Sequence, residues 1–245
     1  MIGSSLTFQS STTSSLGNRL FQNDAILTGS NYLVLCDGAG DDQVGHDIAQ
    51  TTAAAFGTLA TSLVLARTGS SDFARALSQF PSDFALTHTQ LGGKTTLAAA
   101  VLDSDLLWAM SLGDSILYVL REWHDERGWD VLLANRRRNR TLDTDLLGER
   151  PWARDCVELT RFVTGKDANT SSIEDGGPPD IQVVVCRTGD IVIILSDGFE
   201  LKVTPAMSVM IASALDGDMS MIRQAIERTT GSVNDNASAI IARVI

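Results

Sequence analysis

Two apolar segments of the chain end in the same pair of residues, an aspartate followed by a glycine. One reads YLVLCDG and ends at Asp37 and Gly38; the other reads IVIILSDG and ends at Asp197 and Gly198. An Asp-Gly pair after a strand commonly forms a hairpin turn. However, a polar loop and a helical pattern follow Gly38, and Pro205, a residue typical of helix starts, soon follows Gly198. A carboxylate at a strand end, beside a glycine that permits close approach to the backbone, suits a hard cation bound by oxygen atoms.

Three further aspartates stand next to predicted strands. Asp24 precedes the first strong strand pattern, Asp114 lies between two strands, and Asp235 precedes the last strand. Each has an ordinary structural interpretation: a solvated loop carboxylate for Asp24, a hairpin turn for Asp114, and an Asx turn that opens a strand for Asp235. Alternatively, aspartates at the ends of neighbouring strands could form a site for Mg²⁺ or Mn²⁺, which prefer carboxylates, carbonyl groups and water.

The composition excludes several other classes of function. The chain has 245 residues and three cysteines, and its 19 basic and 30 acidic residues give a net charge of −11. Its pI is near 4.6, so its field would repel nucleic acids and anionic membranes. The cysteines and the scattered histidines fit no zinc pattern and no disulfide framework, which indicates a reducing, cytoplasmic compartment. We expect a single domain over residues 1–245, with a core large enough to need no disulfide or metal for stability.

The hydrophobic pattern predicts strands that follow one another through short turns, with helices mostly outside this run. This order is typical of antiparallel sheets covered by helices rather than of alternating βαβ units. The predicted strands are Tyr32–Cys36, Thr95–Leu102, Leu106–Met110, Ile116–Arg121, Asp130–Leu133, Ile181–Val185, Ile191–Leu195 and Ala237–Val244. The predicted helices are Gly45–Ala66, Asp72–Phe80, Pro205–Leu215 and Met219–Arg228.

Three other segments could bear on localisation or partners. Residues 48–66 carry no charge over 19 positions, but six polar residues among them favour a core helix over a membrane span. The N-terminus has no early positive charge and no apolar stretch, so we predict no signal peptide. A basic cluster at Arg136, Arg137, Arg138 and Arg140 is either a solvated turn or a docking patch for an acidic partner. Residues 165–180 are polar and rich in turn formers, and we expect them to form a mobile loop.

Taken in their order along the chain, the aspartate motifs and their surroundings resemble those of the metal-dependent serine/threonine protein phosphatases of type 2C (the PPM family), and in particular the bacterial members. The resemblance extends nearly from end to end. It includes Arg19 with Asn23-Asp24, Asp37-Gly38 with the helix start Val44–Ala49, Thr95-Thr96, Gly113-Asp114-Ser115, Gly189-Asp190 through Ser196-Asp197-Gly198, and Asp235-Asn236.

This resemblance implies a four-layer αββα sandwich, an α+β fold of two antiparallel sheets between helices, with metals at one edge. It implies that Asp37 bridges two Mn²⁺ or Mg²⁺ ions and that the Gly38 carbonyl binds one of them. Asp197 and Asp235 would bind the other ion. Asp24 would orient the metal-bound water, and Arg19 would hold the substrate phosphate. The reaction would be direct hydrolysis of a phosphate ester without a covalent enzyme intermediate.

The sequence also departs from the family pattern. In the family, a second aspartate often follows the late Asp-Gly and holds a third ion together with the aspartate of Gly-Asp-Ser, which is Asp114 here. Leu201 stands at that position, with Glu200 one residue away, so we expect two well-occupied ions and an empty or faint third site at Asp114. Ala39 stands where some members have histidine or methionine, so no imidazole acid is available beside the bridging aspartate. Lys94 replaces the glycine of the family's Gly-Thr-Thr motif.

The resemblance predicts a monomeric phosphatase that removes phosphate from serine or threonine in a protein and opposes a serine/threonine kinase. Two alternatives remain open: a pseudophosphatase that uses the same fold as a binding or regulatory module, and a phosphatase for small phosphorylated metabolites. The presence of Asp37, Asp197 and Asp235 favours an active enzyme over a pseudophosphatase.

Overall fold

In a computed structural model, the described residues form ten strands and two long helices. The structure describes residues 6–40, 42–122, 129–135, 162–164, 178–198, 211, 213–218, 220–221, 224 and 235–245. The strands are β1 (Phe8–Ser15), β2 (Asp24–Thr28), β3 (Tyr32–Asp37), β4 (Leu97–Asp103), β5 (Leu106–Leu112), β6 (Ile116–Glu122), β7 (Trp129–Ala134), β8 (Asp180–Val185), β9 (Ile191–Leu195) and β10 (Ala237–Val244). The helices are α1 (Gln43–Leu65) and α2 (Ser70–Thr87).

The strands form two five-stranded sheets in which every pairing is antiparallel. One sheet has the order β1-β10-β9-β6-β7 and the other β2-β3-β4-β5-β8. We call them the β10 sheet and the β3 sheet. Helices α1 and α2 pack on the outer face of the β3 sheet, and a helical segment around residues 211–215 packs on the outer face of the β10 sheet. The predicted αββα sandwich is therefore confirmed.

The side chains of the central strands alternate between two hydrophobic cores. One core lies between the two sheets, and the other lies between the β3 sheet and the helices. In β3, Leu33 and Leu35 face the other sheet, whereas Val34 and Cys36 face the helices. Successive residues of a strand point to opposite faces, so a strand that is covered on both sides must be apolar throughout. This explains why β3 reads as a continuous apolar run, and it places the end of β3 deep in the molecule.

Helix α1 starts directly after the Asp37-Gly38 loop and is fixed there by its cap. The Asp42 carboxylate accepts a hydrogen bond from the Gly45 backbone N–H at 3.0 Å, which satisfies one of the free donors at the helix start. Ile48, Phe56 and Leu63 are buried on the face toward the β3 sheet. Among the described helices, α1 alone is long and apolar enough to cross a membrane by length and composition; here it packs as a core helix.

Helix α2 continues beyond its predicted end at Phe80. Pro81 lies inside the helix, although proline lacks an N–H and normally interrupts helices. The aromatic side chains around it compensate, because Phe80 contacts Phe56 edge-on at 5.2 Å between ring centroids and Phe84 at 5.9 Å. Aromatic pairs of this kind stabilise beyond their buried area. Tertiary packing therefore overrides the local effect of proline.

Two strands were not predicted, and one predicted turn type is wrong. The sequence of β1, FQSSTTSS, is almost entirely polar, yet its eight residues all pair with β10. Strand β2 begins at Asp24, which is 4% exposed, so the interpretation of Asp24 as a solvated loop carboxylate is wrong. Asp114 does not lie in a hairpin turn, because β5 and β6 belong to different sheets.

The remaining predicted strands and the first helix are confirmed within two residues at their ends. Several predictions fall outside the described residues: the basic cluster at Arg136–Arg140, Leu201 and Glu200, residues 165–177 of the polar loop, and most of the two late helices. Asp180, predicted as the end of that loop, is the first residue of β8.

An ion pair between a partly exposed arginine and a buried aspartate joins the two sheets at the start of β9. Asp190 is 1% exposed and accepts hydrogen bonds from Arg121 Nε at 2.8 Å and Arg121 Nη2 at 2.7 Å. The Arg187 backbone N–H donates to the same carboxylate at 2.9 Å. Arg121 Nη2 also donates to the Val185 carbonyl at 3.2 Å, on the edge strand of the other sheet. The pair therefore ties β6, β8 and β9 together.

Removal of the arginine from this pair should destabilise the protein. Arg121→Met leaves the Asp190 carboxylate buried without its counter-ion, and we expect a loss of about 2–4 kcal/mol in the free energy of unfolding. The control is Arg75→Met, which removes an arginine from an exposed ion pair with Asp72 and should change that free energy by less than about 0.5 kcal/mol. Urea denaturation measures both values, and equal effects would contradict this assignment.

Candidate metal centre

Asp24 and Asp37 lie opposite each other at one edge of the β3 sheet. Strands β2 and β3 are antiparallel, and their register pairs Asp24, the first residue of β2, with Asp37, the last residue of β3. Directly paired residues have side chains about 5 Å apart when they share a face. The structure therefore places side by side two carboxylates that are 13 positions apart in the sequence.

Asp197 and Asp235 reach the same edge from the other sheet. Asp197 follows the end of β9, Asp235 precedes β10, and these two strands are antiparallel neighbours. Ser196 connects the two sheets at this point, since its hydroxyl donates to Asp24 Oδ2 at 3.0 Å and accepts from the Ser238 backbone N–H at 2.9 Å. The four aspartates thus meet where the edges of the two sheets come together.

The proximity of these carboxylates changes their acidity. Burial is the main cause that raises the pKa of Asp24 to about 7; the charges of Asp197 and Asp235 act in the same direction, and the hydroxyls of Ser238 and Ser196 act against it. Burial also raises the pKa of Asp37 well above its ordinary value, and the charges of Asp24 and Asp197 add to the effect. Each of the two side chains therefore lies within electrostatic range of the other aspartates.

Two asparagines hold the loops that carry the aspartates. The Asn236 Oδ1 atom accepts from the Asn23 backbone N–H at 2.8 Å, and its Nδ2 atom donates to the Leu16 carbonyl at 2.8 Å. Asn23 in turn donates from Nδ2 to the Gly40 carbonyl at 2.7 Å. Because each asparagine lies next to a candidate aspartate, these contacts fix Asp24 and Asp235 relative to the loop after Asp37.

Gly38 occupies a position that has no room for a side chain. A Cβ atom on Gly38 would lie 2.0 Å from the Gly45 carbonyl oxygen and 3.1 Å from the Asn23 carbonyl oxygen. Its backbone N–H donates to that Asn23 oxygen at 3.0 Å. The close approach draws the start of α1 and the segment before β2 against the backbone at the end of β3.

Hydroxyl groups connect the end of β3 to the Asp114 turn. The Asp37 backbone N–H donates to Thr96 Oγ1 at 2.9 Å, and that hydroxyl shares a hydrogen bond with Ser115 Oγ at 2.7 Å. Asp114 itself is 1% exposed. This network gives the Thr-Thr and Gly-Asp-Ser motifs a structural purpose, namely to position the backbone of Asp37.

Lys94 has its own contact near this network. Its ammonium group lies 4.2 Å from the centroid of the Phe162 ring, and its carbonyl accepts from the Ala39 backbone N–H at 2.9 Å. Residues 162–164 run alongside, since Thr95 and Val163 form an antiparallel bridge. Lys94 therefore helps to hold residues 162–164 beside the Asp37 loop.

Arg19 lies beside the last of the four aspartates. Its Nη2 atom is 3.1 Å from Asp235 Oδ2, and the two side chains are 29% and 31% exposed. The structure therefore brings the predicted residues Arg19, Asp24, Asp37, Asp197 and Asp235 into one region. Asp114 is connected to it through Ser115.

Sequence reasoning missed several residues of this region. Ser196 and Asn236 appeared only as parts of motifs, although both make contacts across the sandwich. His46 was not considered as a site residue, yet its Nδ1 atom lies 2.6 Å from the Gln22 carbonyl oxygen and holds the segment between Arg19 and Asp24 against α1. No local signal predicts these contacts, because each joins residues that are distant in the sequence.

The donor set fits a divalent cation in chemistry, although it is not a closed cage. Among the described residues, no three histidine, cysteine or acidic side chains converge tightly enough to enclose an ion. The Asp24 Oδ1 atom is buried and has no hydrogen-bond partner, which is unusual for a buried carboxylate. Carboxylates that repel one another at a sheet edge are suited to Mg²⁺ or Mn²⁺, which retain water as additional ligands.

Comparison with known proteins identifies the fold. No family model and no curated protein matches the chain. Among solved structures, the catalytic domain of the serine/threonine protein phosphatase PstP in complex with two manganese ions has 20% identity and a TM-score of 0.73, over 98% of this chain and 99% of that chain. A serine/threonine phosphatase of S. agalactiae has 17% identity and a TM-score of 0.69, over 96% and 98%.

A third solved structure extends the comparison to a phosphatase named as a PPM protein. The PPM Ser-Thr phosphatase MsPP of Mycobacterium smegmatis, in complex with cacodylate, has 20% identity and a TM-score of 0.58, over 96% of this chain and 98% of that chain. The chain thus has the fold of the PPM-type serine/threonine phosphatases. The resemblance stated from the motifs is confirmed at the level of the fold.

Introduction of a side chain at Gly38 should disrupt the centre. Gly38→Ala places a methyl group 2.0 Å from the Gly45 carbonyl oxygen, and we expect the free energy of unfolding to fall by about 1–3 kcal/mol, as for other overpacked sites. The matched control is Gly92→Ala, whose Cβ would have only Val44 Cγ1 at 3.5 Å as a neighbour. Urea denaturation compares the two variants, and equal stability would show that the Asp37 loop is looser than described.

Proposed function

We propose that this chain is an active PPM-family phosphatase that hydrolyses phosphoserine and phosphothreonine in proteins with the help of two Mn²⁺ or Mg²⁺ ions. The observation that supports this most strongly is that four aspartates lie within electrostatic range of one another at one edge of a sandwich with the PPM-type fold. Asp24 and Asp37 are direct partners on the neighbouring strands β2 and β3, and the pKa of each is raised by burial and by the charges of its neighbours. Such crowding is costly unless a cation compensates for it.

In this proposal each residue of the centre has a defined task. Asp37 and the Gly38 carbonyl would hold the ions together with Asp197 and Asp235. When bound, the ions supply positive charge that acidifies water and attracts a phosphate group. Asp24 would orient the attacking water through its unpaired Oδ1 atom, while Ser196 holds the other oxygen, Oδ2.

We propose two ions rather than three. Asp114 is 1% exposed, and its neighbour Ser115 hydrogen-bonds to Thr96. These contacts support a structural task for the Asp114 turn, which maintains the Thr96 support of the Asp37 backbone. The Leu201 position, where a further ligand would be expected in the family, lies outside the described residues.

The substrate class and surroundings are further proposals. We propose a single catalytic domain over residues 1–245 that acts as a monomer in the cytoplasm and opposes a serine/threonine kinase. The net charge of −11 supports a protein substrate over nucleic acids or anionic membranes. A phosphatase for small metabolites would cleave a phosphorylated metabolite faster than a phosphopeptide, so a comparison of kcat/KM between the two substrates separates these functions.

The first expected result is dependence on metal. Hydrolysis of p-nitrophenyl phosphate should require Mn²⁺ or Mg²⁺ and should stop when EDTA is added. Asp37→Asn and Asp197→Asn should each lower kcat at least about a thousandfold, since each removes a charge that the proposed ions need, without loss of the folded circular-dichroism spectrum. Full activity in EDTA would exclude this mechanism. Mn²⁺ binding without any turnover would instead support the pseudophosphatase alternative.

The second expected result concerns Arg19. A charge-assisted, two-point contact with phosphate is worth roughly 1.5–3 kcal/mol, so Arg19→Ala should raise the KM for a phosphopeptide about 10- to 100-fold. Arg67, an arginine at the C-terminal end of α1, provides the control, because Arg67→Ala should leave the KM unchanged. Steady-state kinetics in saturating Mn²⁺ measures both, and an unchanged KM in Arg19→Ala would assign Arg19 a purely structural role.

A further inference from the structure

Arg19 and Asp235 form an ion pair with each other, although the proposed reaction needs both groups for other contacts. Arg19 is needed for the substrate phosphate and Asp235 for a metal ion. This ion pair involves one of the four aspartates of the centre. The Arg19 Nη2 atom lies 3.1 Å from Asp235 Oδ2. The phosphate-binding arginine is thus paired with a proposed ligand of the metal.

Both oxygen atoms of Asp235 are engaged in this arrangement. Oδ1 accepts from the Asn236 backbone N–H at 2.8 Å, and Oδ2 faces Arg19. The backbone here is fixed, because the Asn236 side chain is bound to the Asn23 N–H and the Leu16 carbonyl. The Asp235 carboxylate therefore has little freedom to move, and a change of partner must come from the arginine.

The arginine is held less completely than the aspartate. Its Nε atom is buried and has no hydrogen-bond partner, although a guanidinium group usually uses several of its donors when it is buried. Within the part of the chain that the structure describes, the Nη2 end contacts the Asp235 carboxylate. A guanidinium group with an unsatisfied buried donor is suited to change partners when a stronger cation reaches the carboxylate.

We propose that Arg19 serves as the counter-cation of Asp235 in the metal-free protein and that a divalent cation displaces it. This inference rests on the proposed function. A divalent cation carries twice the charge of the guanidinium group and repels it at such short range. Metal loading would then release Arg19 toward the phosphate of the substrate, so the protein acquires its phosphate-binding group only after the metal site is filled.

The test measures Mn²⁺ affinity rather than activity. Metal-free wild type, Arg19→Met, Asp235→Asn and the double variant are titrated with MnCl₂ by isothermal titration calorimetry. Without its competitor, the Arg19→Met protein should bind Mn²⁺ about three- to tenfold more tightly than wild type, in keeping with the usual strength of partly exposed ion pairs. In the Asp235→Asn background the same substitution should change the affinity less than about twofold.

Two controls separate competition from other roles of the arginine. Arg75→Met removes the same charge from α2 and should change Mn²⁺ affinity less than about twofold. If Arg19→Met leaves Mn²⁺ affinity unchanged, the ion pair is only structural and the inference is wrong. If Arg19→Met tightens Mn²⁺ binding by the same factor in the Asp235→Asn background as in the wild type, Arg19 acts through long-range repulsion of the cation rather than through its contact with Asp235. This result would also overturn the inference.

A second measurement covers the case in which Asp235→Asn no longer binds Mn²⁺. The Nε–H resonance of Arg19, assigned by its absence in Arg19→Met, should shift when Mg²⁺ is added to the wild-type protein. An unchanged resonance at saturating Mg²⁺ would contradict displacement. Failure of the wild type to bind either ion would instead refute the proposed function, so the two failures are distinguishable.

Discussion

Mutual repulsion between carboxylates at one edge of the sandwich is the constraint around which the site is built. Asp24 and Asp37 face each other across the β3 sheet, and Asp197 and Asp235 approach from the β10 sheet. Asp24 is buried and the other three are only partly exposed, so water screens these charges less than it would at the surface, and their repulsion is correspondingly stronger. The surrounding structure must therefore hold them in place against a force that pushes the edges of the two sheets apart.

The structure meets this constraint with neutral hydrogen bonds rather than with cations alone. Asn23 and Asn236 bind backbone groups of distant loops, Ser196 connects Asp24 with β10, and Thr96 holds the backbone of Asp37. Amide and hydroxyl groups satisfy the backbone without neutralising the carboxylates. These hydrogen bonds therefore fix the backbone around the acidic cluster without adding positive charge.

The sequence predicts those parts of the protein whose signal is local. Strand β3 and strand β9 are recognisable because burial on both faces requires continuous apolar runs, and Asp37 and Asp197 follow from their ends. Strand β1 was missed, since its sequence FQSSTTSS becomes a strand only through pairing with β10.

Two contacts of this region depend on how separate segments are aligned in the sheets. One is the pairing of Asp24 with Asp37, and the other is the contact between Asn23 and Asn236, which are 213 positions apart. No short pattern encodes such contacts. Only the family resemblance of the motifs, which summarises a complete fold, could anticipate that Asp24 belongs to the site.

Strand β9 has one buried carboxylate before it and another carboxylate after it, and the two have different tasks. Asp190 anchors Arg121 at one end, whereas Asp197 belongs to the acidic cluster at the other. A strand rises about 3.3 Å per residue, so the two positions are roughly 20 Å apart. When two substitutions lie so far apart and share no partner, their effects on the free energy of unfolding are additive. The scaffold can therefore accumulate sequence changes at its anchored end while the end with the acidic cluster evolves separately, which suits a fold that persists in chains sharing 15–20% of their residues.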